Sequence, residues 1–237
     1  MGFVRSTWAD DEVQVGKGLW ANEWQGAGEL PLDGIGSVLV KNDASYLYIA
    51  IDVVADSGDD PGTGDHFWLV VDEGGDGAVT PNRDRLYSPW PSKRDRLGRS
   101  YFLGERAVTP LHDLPPECQL QSGFADSPAH PLPHRTWEMR LPLSELGVVL
   151  GSTGAPPVLD VGFRIGSDTP AIHYETTAGL LLDFSDEGLS SRPAAPGVAL
   201  DAVTPGARPL ADERAAPLDS DDDALLLEQV DGLADGS

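Results

Sequence analysis

Tyr46-Leu47-Tyr48-Ile49-Ala50-Ile51-Asp52-Val53 is the stretch that decides the fold. Leu47, Ile49, Ile51 and Val53 recur at every second position, with Tyr46, Tyr48 and Asp52 between them. A period of two is the strand period, so the apolar row faces a core and the other row faces outward. Residues 37–41 (SVLVK) precede it as a second apolar run, and Asn42-Asp43-Ala44-Ser45 between them is turn chemistry. The pair reads as a β-hairpin.

The same reading extends outward. His66–Asp72 (HFWLVVD) is apolar on both faces and suits a covered central strand. Residues 136–143 (TWEMRLPL) alternate again, with Trp137, Met139, Leu141 and Leu143 inward and Thr136, Glu138 and Arg140 outward. Val161, Phe163 and Ile165 repeat the pattern around an outward Arg164, and residues 180–184 form a last strand. Further strands are expected near Val13, at 99–103 and at 119–124, and Ser144-Glu145-Leu146 forms a single helical turn. With 27 glycines and 20 prolines the chain is cut into many short elements. The expected fold is therefore all-β: an antiparallel two-sheet β-sandwich of jelly-roll-like kind over residues 1–190.

Residues 191–237 differ. From Arg192 onward ten acids stand against three arginines, and five prolines interrupt the segment. This composition predicts a flexible, disordered acidic tail. Near 221–231 it carries one short helix, with Ser220 as cap, Asp221, Asp222 and Asp223 in the first turn and Gly232 as stop. Such a tail either solubilises or docks on a protein partner.

The formal charge of −23 disfavours nucleic acid and anionic membranes as partners. No run approaches the roughly 18 apolar residues of a membrane helix, and no signal peptide is visible at Met1-Gly2-Phe3-Val4-Arg5. The chain is thus expected in the cytoplasm unless exported by another route. Cys118 is the single cysteine, so there is no internal disulfide. Its neighbour Glu117 offers no activating base, and an inert thiol is expected. No nucleophile elbow, P-loop or dinucleotide fingerprint is present, and His66, His112, His130, His134 and His173 show no metal-binding spacing. The chain reads as a binding module in preference to an enzyme.

Two constellations carry binding chemistry. Asp56, Asp59, Asp60, Asp65, Asp72, Asp76 and Asp84 occupy Gly-rich loops on either side of the central strand. Calcium takes six to eight hard oxygens, and glycine lets backbone carbonyls turn toward an ion. These seven are the candidate Ca²⁺ ligands, with Asx turns as the alternative use. Asp72, Asp76 and Gly77 match three positions of an EF-hand loop, but Gly74 and Arg83 stand where further ligands belong. The second constellation is a basic, aromatic loop at 83–106. Trp90, held between Pro89 and Pro91, is a rigid platform for a sugar ring, with Tyr87 and Arg99 beside it. The arginines alternatively neutralise the neighbouring acids.

Several segments resemble, in order, the family 9 carbohydrate-binding modules and the related DOMON sandwiches. They are Asn22-Glu23-Trp24-Gln25-Gly26-Ala27, the hairpin from Val38-Leu39-Val40-Lys41-Asn42-Asp43 into Tyr46-Leu47-Tyr48, Gly64-Asp65 with the strand to Asp72, Trp137-Glu138-Met139-Arg140-Leu141-Pro142-Leu143 with Ser144-Glu145-Leu146-Gly147, and Gly162-Phe163-Arg164-Ile165. The resemblance implies a two-sheet sandwich, structural calcium and a carbohydrate held between aromatics. By position Trp90 and Trp20 are the candidates for such a clamp. These modules are usually extracellular and appended to enzymes, whereas this chain shows neither a leader nor a catalytic domain. The haem-binding cousins need an axial Met/His pair that is not apparent here, since Met139 points inward.

Overall fold

The computed structural model describes residues 2–20, 22–59, 64–73, 75, 77–90, 93–104, 107–148, 157–168 and 170–184. The expected tail at 191–237 and its helix lie outside these residues, as do Asp60 and Asp76.

The chain runs through β1 (Gly2–Arg5), β2 (Thr7–Trp8), a 3-10 turn (Asn22–Trp24), β3 (Gly28–Leu32), β4 (Gly36–Asn42), β5 (Tyr46–Val53), β6 (His66–Asp72), β7 (Arg85–Trp90), β8 (Lys93–Gly104), β9 (Ala107–Val108), β10 (His112–Asp113), β11 (Gln119–Ser127), β12 (His130–Pro142), β13 (Val158–Asp168) and β14 (Ala171–Leu181). An eight-stranded sheet has the order β1-β14-β13-β6-β7-β8-β10, with β9 also on β8; a six-stranded sheet has the order β11-β12-β5-β4-β2, with β3 also on β4.

The alternation seen in the sequence builds the core between the sheets. Leu47, Ile49, Ile51, Trp137, Met139 and Leu141 from the six-stranded sheet pack against Phe67, Leu69, Val71, Val161, Phe163 and Ile165 from the eight-stranded one. The rings of Phe67 and Trp137 meet edge-on across the gap, 5.4 Å between centroids. The hairpin forms as expected: Asp43 accepts the Ser45 and Tyr46 amides at 2.6 and 2.8 Å, and β4 and β5 pair from Ser37–Asp52 to Asn42–Leu47. The turn after β12 is present as hydrogen-bonded turns, with the Leu146 amide on the Leu143 carbonyl at 3.1 Å.

The sandwich is not purely antiparallel. β1 lies parallel to β14 and β2 parallel to β4, because the chain crosses from one sheet to the other at Ser6. Ser6 is fully buried and hydrogen-bonds Asn42 through its hydroxyl. The Asp183 amide donates to Ser6 Oγ and Asn42 Oδ1, each at 2.9 Å, and Asn42 Nδ2 donates to the Asp183 carbonyl at 2.9 Å. The clasp ties the first strands to the end of β14. No strand forms at Val13; that residue belongs to an irregular segment packed on the six-stranded sheet. The last strand is earlier and longer than expected, Ala171–Leu181.

The basic stretch 83–106 is two paired strands for most of its length. Pro89 is accommodated because the ladder shifts register between Pro89 and Trp90. Its guanidinium groups cover aromatic faces: Arg96 lies 5.0 Å from the Trp90 ring centroid and Arg99 4.8 Å from that of Tyr101.

Candidate functional site

The six-stranded sheet shows what its outward row is for. Tyr48, Thr136, Glu138 and Arg140 are buried, because residues 9–27 lie across this face. Ala9, Val13, Leu19 and Trp24 form a second apolar cluster there with Tyr48 and Ala50. Glu138 fastens the cover: its carboxylate accepts the Gly18 amide at 2.8 Å and the Gly16 amide and Trp24 Nε1 at 3.3 Å each. Gly16 and Gly18 have φ of 93° and 82°, in the left-handed region that favours glycine. Burial pushes the Glu138 carboxyl up, and its three donors pull it back. Arg140 pairs with Glu12 and stacks 4.6 Å from the Tyr46 ring centroid.

The cover does not lie flat. Between it and β4 opens a cleft of about 740 Å³, lined by Ala9, Asp10, Asp11, Glu12, Gln14, Lys17, Asn22, Glu23 and Lys41. Lys41 forms part of its wall from β4. Lys17 pairs with Glu23 at 3.2 Å. Trp20, between Lys17 and Asn22 in the chain, is 60% exposed. No other tryptophan among the described residues is exposed to this degree. Trp20 is not itself among the lining residues, but Lys17 and Asn22 on either side of it are, so the polar hollow and the exposed indole belong to one segment. Hydrogen bonds to hydroxyls and an apolar face for a ring are what a polyhydroxylated ligand takes.

The other expected ligand residues lie in the eight-stranded sheet. Tyr87 is fully buried in the core, and its hydroxyl donates to the Glu145 carbonyl at 3.1 Å. Its ring therefore offers no face to a ligand. Arg99 is committed to Glu145 and to stacking on Tyr101. Trp90 is half-buried under Arg96 and rests on Gly98, where a Cβ would fall 2.9 Å from its Nε1. Trp20 lies in the segment that covers the six-stranded sheet and Trp90 in β7 of the eight-stranded one, so the two do not form a clamp.

The described acids fall into two loops. After β6, Asp72 accepts the Gly75 and Gly77 amides at 2.7 and 2.8 Å. Asp84 accepts those of Glu73 and Thr80 at 3.2 and 2.7 Å. Both carboxylates hold the loop by its backbone amides, though not with the two-residue reach of an Asx turn. Before β6, Asp56 and Asp65 are buried, and Asp56 Oδ2 and Asp65 Oδ1 make no hydrogen bond among the described residues. Arg135 bonds Asp65 through Nη2 at 2.7 Å and reaches the mostly exposed Asp59 at 3.4 Å. Burial first, then the Asp65 charge, pushes the Asp56 carboxyl up to about 6. Two orphaned carboxylate oxygens fit a hard cation in chemistry. They are short of a full set, since no group of three or more His, Cys, Asp or Glu side chains among the described residues is arranged around an ion.

One buried polar group went unread in the sequence. His134 is fully buried. Its Nε2 lies 2.5 Å from Asp52 Oδ1, and its Nδ1 2.7 Å from the Leu132 carbonyl. Ser127 donates to Asp52 Oδ2 at 2.8 Å. The serine faces the acid and not the imidazole, so this is a structural clasp for the β11–β12 hairpin and not a nucleophile relay. The Cys118 thiol is pushed up to about 12, by burial and then by the charges of Glu145 and Glu117.

No family model matches the sequence. No curated protein matches it either. Among solved structures, the chain is similar to a carbohydrate binding module of family 9 from Caldicellulosiruptor kristjanssonii in complex with glucose, with a TM-score of 0.42, 10% identity, and coverage of 77% of this chain and 97% of that one. A likeness of that size leaves the ligand to be argued from the residues themselves.

Proposed function

We propose that the protein is a non-catalytic binding module for a neutral carbohydrate, held in the cleft under residues 9–23 with Trp20 as its stacking face. The observation that carries this reading is the 60% exposed Trp20 in the segment that lines a polar cleft of about 740 Å³. A pyranose ring has an apolar face that stacks on an exposed indole. Calorimetric titration of the full chain with glucose, cellobiose and other soluble neutral oligosaccharides tests it. Saturable binding to at least one is expected, weakened about tenfold or more in Trp20→Ala, as for a buried aromatic anchor. Absence of binding across the series, or binding indifferent to Trp20, overturns it.

A calcium ion beside Asp56 and Asp65 belongs to the same proposal. Its support is the pair of buried carboxylate oxygens without partners, which a cation would satisfy. It would act as a structural element, and sugar binding is not routed through it.

A further inference from the structure

Lys41 stands out among the cleft residues. It is only 9% exposed, yet it lines the open cleft. Among the described residues it makes no hydrogen bond and no ion pair. Its stem is packed into the wall, while its ammonium is not among the buried groups left without a partner and keeps access to the open cleft, where it is free to donate to whatever enters. Burial lowers its pKa, and the charges of Asp10 and Glu23 oppose that shift from a distance. Thr7, its partner in the β2–β4 register, carries a buried oxygen with no hydrogen bond.

We propose that Lys41 is the ligand-directed donor of the cleft, completed by a hydroxyl of a neutral polyol that accepts from Nζ and donates to Asp10 or Glu23. This rests on the carbohydrate reading and assigns it a specificity-determining residue. The chemistry selects the ligand class. An inorganic or sugar phosphate meets Asp10, Asp11, Glu12 and Glu23 along the same wall and is repelled. A simple ammonium ligand meets Lys41 itself. A hydroxyl both donates and accepts, and so bridges a cation and a carboxylate that do not touch each other.

The test uses the full chain with glucose, cellobiose and, as the anionic control, inorganic phosphate. Lysine acetylation by a soluble acetyl ester is followed by mass spectrometry, with Lys93 on β8 as reference. Cellobiose is expected to slow acetylation of Lys41 in proportion to its occupancy and to leave Lys93 unchanged, while phosphate protects neither. In calorimetry, Lys41→Met is expected to weaken cellobiose about ten- to hundredfold, the loss for a charge-assisted hydrogen bond, and Lys41→Arg to retain part of the affinity. Should Lys41→Met fail to fold, the protection measured in the unaltered chain decides. Cellobiose binding that ignores Lys41 and leaves it reactive overturns this assignment alone and leaves the carbohydrate reading standing. Protection by phosphate overturns the neutral-polyol assignment. No binding of any sugar in the calorimetric series overturns both.

Discussion

The two aspartate-rich loops flanking β6 have nearly the same composition and opposite electrostatic fates. In the loop after the strand, Asp72 and Asp84 each accept two backbone amides, and the carboxylates fold the loop around themselves. In the loop before it, Asp56 and Asp65 are driven into the protein with an oxygen each left over. Among the described residues Arg135 is the cation that compensates them, and its second contact is with Asp59 at 3.4 Å. An aspartate beside glycines is therefore not one signal but two. What separates them is how well amides satisfy the carboxylate: Asp72 and Asp84 each take two, whereas the buried Asp56 takes that of Gly58 at 3.3 Å.

The largest break in this contrast is at Arg135. Arg135→Met leaves two buried carboxylates without a counter-charge and is expected to cost about 3–5 kcal/mol in urea unfolding. Added Ca²⁺ should restore part of that loss. Next comes the ion itself. Ca²⁺ at a hundredfold excess over its dissociation constant should stabilise the chain by about 2.7 kcal/mol over an EDTA-treated sample, and Asp65→Asn should remove the gain. An absent shift would make the first loop a strained one and not a cation site. The second loop should respond differently. Asp84→Ala orphans the Glu73 and Thr80 amides, at a cost of about 2 kcal/mol that is the same with and without Ca²⁺.

The smallest effect is a pH profile in EDTA. Folding raises the Asp56 carboxyl from 3.8 to about 6, so the folded state binds more protons in that interval. Its contribution is fully present below 3.8 and is lost as pH rises through about 6. Asp56→Asn should flatten this fall in the urea midpoint, and an unchanged profile would show that another group titrates there.

The sequence made the sandwich legible wherever alternation put branched or aromatic side chains on one face, as in β5, β12 and β13. It hid β7 and the first half of β8, because arginine and proline are poor strand markers until their partners are known, and showed β8 only at 99–103. Arg96 and Arg99 become strand residues by lying on Trp90 and Tyr101. The outward row of β5 and β12 was misread for a related reason. Tyr48, Glu138 and Arg140 look solvent-facing by period, and nothing in the period says that residues 9–27 return to cover them. A buried Glu138 needs donors, and Gly16, Gly18 and Trp24 supply them from more than a hundred positions away in the chain. The cleft and its lysine follow from that cover, so they were invisible as well. Trp20 was named by its position, while Tyr87, named beside Trp90, proved to be a core residue.

The crossing at Ser6 has a consequence for the life of the chain on the ribosome. β1 finds its parallel neighbour only at residues 178–181, and the clasp at Asn42 closes only when Asp183 arrives. Of these strands β1 is thus made before the others and paired among the last. Until residues 178–181 are made, Phe3 and Val4 wait as an open strand edge, the kind of long-range closure that slows folding and invites pairing with the wrong chain. Ser6, buried at the crossing, ties that late docking to both sheets at once, through Asn42 on one side and the Asp183 amide on the other.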